Sequence, residues 1–158
     1  MRDHSHHFIM YTYDANATNL TPEGVIRELG EDMERFTQRQ FFIGAQEAEF
    51  TYEFPSGAAI SLPANAGVDL NSHYVNGDTK PITGEVYANL HTTSDVQRLA
   101  QNLLWNNTQF VLPPQQTTVL RDTLTLPADV DVFSSLRTCT AAASRFEFMC
   151  SAARMMAS

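Results

Sequence analysis

The chain has 158 residues, 43% of them hydrophobic, and a formal net charge of -8 at pH 7, which is enough apolar material for one ordinary domain or two half-sized lobes. Ten Lys plus Arg against 18 Asp plus Glu exclude nucleic acid, whose phosphates need a basic face, and disfavour an anionic membrane. No apolar stretch approaches the roughly 20 residues of a membrane span, and the opening MRDHSHH lacks the charged-then-apolar pattern of a signal peptide.

Short strand-like runs bounded by turn residues follow one another and predict an all-β chain. In order they are HHFIMYTY, RQFFIGA, AEFTYEF, AAISLPA, VDLNSHYVN, GEVYANLH, TQFVLPP, TTVLRDTLTLP and VDVFSS, at the spacing of an antiparallel sandwich or barrel. Phe50, Tyr52 and Phe54 alternate with Glu49, Thr51 and Glu53, the period of two of a half-buried strand. FPSGAA, LPANAG, VNGDTKP and VLPPQQ supply turn residues between the runs. One segment, LTPEGVIRELGEDMERF, predicts a short helix near 22–36, with Thr21 as cap, Pro22 in the first turn and Val25, Leu29, Met33 and Phe36 on one face. Its acidic residues read as a solvated face. TSDVQRLAQNLLWNN around Trp105 is a weaker helical stretch, with an irregular strand connection as its alternative. Cys139 and Cys150 lie in the last 20 residues, so a disulfide there would close only a short loop.

Three of the five histidines, His4, His6 and His7, fall within four residues. Neutral imidazole is a common ligand of copper and zinc, and a site needs about three or four donors converging in space. His6, His7 and His73 are the candidates. Adjacent strand residues point to opposite faces, so His6 and His7 can share an ion only where the strand ends or bulges. The alternatives are a solvated N-terminal tract or tag remnant for HSHH, and a hydrogen-bonded histidine at a strand end for His73. His91 reads as a surface or edge residue.

HHFIMY at 6–11, LNSHYVN at 70–76, GEVYANL and FVLPPQQTT at 110–118 occur in an order that resembles the copper type II, ascorbate-dependent monooxygenases. This is the family of the peptidylglycine alpha-hydroxylating and dopamine beta-monooxygenases, and the chain looks most like its bacterial members over roughly residues 4–133. The resemblance implies jelly-roll-type antiparallel β-sandwich lobes lying side by side, each with one copper. It implies His6, His7 and His73 as the ligands of the electron-transfer copper, ascorbate as reductant, and a small-molecule or peptide substrate; His4 has no counterpart. A secreted or periplasmic parent is implied too, and sequons at Asn16, Asn19 and Asn106 would matter only in a glycosylating pathway.

The same resemblance divides the chain into the later part of a first sandwich at 1–78, the early part of a second at 79–133, and an aberrant tail at 134–158. The family's oxygen-activating copper takes a His-x-His motif, whereas the matching positions here hold Thr138, Cys139 and Thr140, which cannot replace two imidazoles. If Arg137 to Thr140 were encoded CGC ACA TGC ACN, the frame starting at the last base of the Arg codon would spell His-Met-His. The tail is thus expected to be a frameshifted reading, against the alternative of a diverged C-terminus or an Ala-rich helix. A chain truncated at both ends is expected to be marginally stable, because unpaired strand edges are left open. Beside this reading stand a non-catalytic β-sandwich binding module with incidental histidines and a structural zinc or copper site. Carboxylate pairs, nucleophile motifs and phosphate loops are missing from the sequence, which argues against hydrolase or nucleotide chemistry.

Overall fold

Strand β1, Ser5–Tyr13, is the centre of a three-stranded antiparallel sheet, flanked by β2, Arg39–Ala45, and β4, Val68–Tyr74. The computed structural model describes residues 4–14, 16–18, 20–27, 37–107, 109–126, 129–135 and 154–155. Its regular structure is nearly all strand, so the chain is all-β. β3, Ala58–Ile60, pairs in parallel with β5, Arg98–Ala100, the direction that requires a long connection between the partners, here 61–97. Among the described residues no helix is long and apolar enough to cross a membrane. The chain divides into two units, Met1–Asn102 and Leu103–Ser158. The second holds a parallel pair of two-residue strands, β6 at Asp131–Val132 and β7 at Arg154–Met155.

The first three sheet strands form where hydrophobic alternation and β-branched or aromatic residues predict them. Turns of one kind punctuate the chain: the Pro22, Pro55 and Pro63 carbonyls accept from the amides of Val25, Ala58 and Ala66 at 3.2, 2.9 and 3.1 Å. The third residue of each, Gly24, Gly57 or Asn65, has φ of 77°, 74° or 61°, the left-handed conformation such turns require. The turn at Gly24 corrects the expected helix start. A left-handed residue at the third position cannot continue a right-handed helix, so 22–27 is a turn followed by irregular chain; 28–36 lies outside the described residues.

AEFTYEF forms no ladder, yet its alternation is still expressed: the Phe50 and Tyr52 rings lie 5.9 Å apart and those of Tyr52 and Phe54 5.1 Å. GEVYANLH, TQFVLPP and TTVLRDTLTLP are likewise irregular where described. A period of two marks a face, but a strand also needs a neighbouring strand for its backbone groups, and these runs take no place in a sheet where they are described. The second helical stretch contributes β5 and otherwise irregular chain.

Met10 and Phe42, at 2% and 8% exposure, are the buried hydrophobic side chains among the described residues. The β1–β2 register shifts between Met10 and Tyr11, leaving Phe42 as the extra residue opposite them. Asn102 donates to the carbonyls of Phe41 and Phe42 at 3.1 and 2.8 Å, satisfying acceptors at that bulge. Among the described residues the buried polar residue is Asp69 on β4, at 9% exposure. Arg27 donates to its Oδ1 and Oδ2 at 3.2 and 2.6 Å, Arg39 to Oδ2 at 2.6 Å, and the Tyr13 hydroxyl to Oδ2 at 3.2 Å. Arg39 also lies over the Tyr11 ring, 4.2 Å from its centroid.

Candidate metal centre

His6 and His7 stand near the start of β1 and His73 near the end of β4, which antiparallel pairing brings to the same end of the sheet. His7 pairs directly with His73, so their side chains share a face. Ordinary alternation would turn His6 to the other face. The ladder does not continue regularly there: Ser5 pairs with Tyr74 and His7 with His73, which leaves His6 as an extra residue on β1. A bulge of this kind re-aims a side chain, and here it meets the geometric demand that the adjacent pair imposes.

The three rings converge. Their centroids lie 5.0 Å apart for His6 and His7, 4.9 Å for His6 and His73, and 5.0 Å for His7 and His73. One nitrogen from each falls within 4.8 Å of the others, and the Nδ1 atoms of His6 and His7 are 2.8 Å apart, a hydrogen bond between the rings. His6 and His73 are exposed and His7 half-buried. Burial first, then the neighbouring His73 and His6, lowers the pKa of His7, favouring the neutral imidazole that a metal requires.

A zinc-sized ion at about 2.0–2.1 Å from each nitrogen keeps tetrahedral donors roughly 3.4 Å apart. The 2.8 Å pair lies under that spacing and the 4.8 Å limit over it, and two of the three rings, His6 and His73, are exposed. Three neutral imidazoles suit copper or zinc, and the exposed rings leave the site open to solvent, unlike a closed four-ligand structural centre. The residues therefore fit a metal ion.

His4 lies outside the triad. Its carbonyl accepts from Val75 N at 2.7 Å, its Nδ1 donates to the Val75 carbonyl at 3.2 Å, and its Nε2 sits 3.9 Å from Asp78 Oδ2. It fastens the start of β1 to the chain leaving β4. His91 is exposed in irregular chain. Thr138, Cys139, Thr140 and Cys150 lie outside the described residues.

Sequence reasoning did not find the Asp69 network. Its signal was a single acidic residue at the second position of VDLNSHY, where the strand pattern is otherwise apolar and neutral. Burial pushes the Asp69 carboxyl up, but the hydrogen bonds and charges of Arg27 and Arg39 outweigh this and hold it below the usual range. Burial, then the charge of Asp69, raises the Tyr13 hydroxyl, which keeps it a donor.

Compared with family models, curated proteins and solved structures, the chain matches none.

Proposed function

We propose that this chain carries the electron-transfer copper site of a copper type II, ascorbate-dependent monooxygenase, with His6, His7 and His73 as its ligands. The observation that carries the reading is the convergence of the three imidazoles, one nitrogen from each within 4.8 Å of the others, through a bulge that places His6 beside its neighbour. These are the three histidines that the sequence resemblance singles out. Copper held there would supply one-electron chemistry, with ascorbate as the reductant.

The chain's own contribution is to offer three donors from two hydrogen-bonded strands, to keep His7 neutral, and to leave His6 and His73 exposed to a soluble reductant. Placement of β1, β2 and β4 in a jelly-roll lobe belongs to the same proposal. The oxygen-activating copper site of the family is not part of the proposal, because Thr138, Cys139 and Thr140 stand where its His-x-His motif would be.

The test is anaerobic Cu(I) titration of the full chain and of His73→Ala, followed by ascorbate reduction of the Cu(II)-loaded parent. One copper per chain, lost in the variant and reduced by ascorbate, is the expected result. No saturable binding would overturn the metal reading in favour of a non-catalytic β-sheet module. Stoichiometric binding that ascorbate leaves unchanged would overturn the electron-transfer role and make the site structural.

A further inference from the structure

The triad needs His73 directly across from His7, and little in β4 fixes that register by packing. A strand's register is strongly set where one face is buried and weakly set elsewhere, and a one-residue slip turns every side chain to the opposite face. Along Val68–Tyr74 the buried side chain is Asp69, at 9% exposure, whereas its apolar neighbours Val68 and Leu70 are 43% and 49% exposed. Hydrophobic burial therefore does not distinguish the observed register from its neighbours. The contacts of Asp69 do, because they reach both other strands of the sheet: Tyr13 on β1 and Arg39 on β2, with Arg27 closing the other side.

Asp69 pairs with Tyr11, and His73 with His7, four positions further along the same ladder. An even separation keeps the two side chains on one face. We infer that Asp69 is a positioning residue for the histidine triad, its ion pairs with Arg27 and Arg39 holding β4 in the register that sets His73 across from His7. A slip of one residue would bring Ser72 or Tyr74 opposite His7 and turn His73 away. A slip of two would keep the face but carry the imidazole about 7 Å along the strand, out of reach of an ion about 2 Å from His7. The network thus acts at a distance, through the ladder, without touching a ligand.

This rests on the metal-site reading only for its metal readout, so the test has two arms on the full chain. In the first, metal-free, cross-strand NOEs are recorded for His7 with His73 and for Ile9 with Gly44 in the parent, Asp69→Asn, Asp69→Ala and Leu70→Ala. Loss of the first contact with retention of the second is expected in both Asp69 variants, and parent behaviour in Leu70→Ala. In the second, Cu(II) affinity should fall about tenfold or more and the nitrogen hyperfine pattern in EPR should change from three donors to two. A purely structural weakening would leave the three-nitrogen spectrum of the folded fraction unchanged.

Retention of the His7–His73 contact in both Asp69 variants overturns the inference, as does its equal loss in Leu70→Ala. Should Asp69→Ala lose both contacts by unfolding, the isosteric Asp69→Asn decides; if that also loses both, Asp69 holds the whole sheet and not the register of β4. A parent that binds no copper sinks the metal reading, while the NOEs still settle the register.

Discussion

Replacing Asp69 by alanine removes a carboxylate that the guanidinium groups of Arg27 and Arg39 share. Arg39 is 3% exposed in its side chain and approaches Oδ2 at 2.6 Å; Arg27 is 21% exposed and approaches at the same distance. Arg27 can turn toward water and recover part of what it loses, but Arg39 has little access to solvent. Breaking a buried pair by deleting one partner costs about 3–5 kcal/mol, and the partial exposure of Arg27 places the expected loss toward the lower end. With a urea slope of about 1–3 kcal/mol per M, the midpoint of unfolding should drop by roughly 1–3 M. The assay is urea denaturation at pH 7, followed by circular dichroism. A pH series supplies an internal check. Because the folded Asp69 has its pKa lowered, its contribution is complete above the unfolded-state value and is lost as pH falls through the folded one. The parent should therefore destabilise in acid more steeply than Asp69→Asn. A midpoint change below about 0.5 M, or parallel acid profiles for the two chains, would refute the argument.

His7, whose pKa is lowered by burial and by its histidine neighbours, titrates with the same sign: its contribution is complete above the unfolded value near 6.5 and declines as pH falls toward the folded one. NMR titration of its ring should give a midpoint below 6.5; one above it would contradict the burial argument. Met10→Ala deletes the most buried hydrophobic side chain among the described residues, at 2% exposure, and should cost about 2–5 kcal/mol in the same urea assay. Gly57→Ala forces a side chain onto a residue at φ 74°, with its Cβ 3.0 Å from Gln97 Cδ. Gln97 is flexible, so backbone strain of about 1–2 kcal/mol should dominate, visible as faster amide exchange in β3 and β5 alone.

The strands that build the candidate centre were legible because their alternation and their partners coincide: β1, β2 and β4 occupy the first, second and fifth of the predicted runs. The histidine set was legible for a sharper reason. An adjacent pair on a strand makes sense as a ligand pair only with a bulge, and the register shift falls at that point. Other features left no such trace. The β3–β5 pair is three residues long and parallel, so its partner is chosen by the path of the intervening chain and not by local pattern. Periodicity alone suggested a helix from Pro22, and the left-handed Gly24 outweighed it. Asp69 read as an ordinary polar residue, because its importance depends on Arg27 and Arg39, which are distant in sequence and meet it only once the sheet has formed.

The bulge at His6 makes the site a matter of counting as much as of chemistry. With strict parity along β1, two neighbouring imidazoles would serve opposite sides of the sheet, and neither side would hold three donors. One surplus residue cancels that parity. Inserting a single amino acid between His6 and His7 should thus dismantle the centre as surely as removing an imidazole, even with every histidine retained. Substitutions at Phe8 that keep the strand length should leave the three donors together.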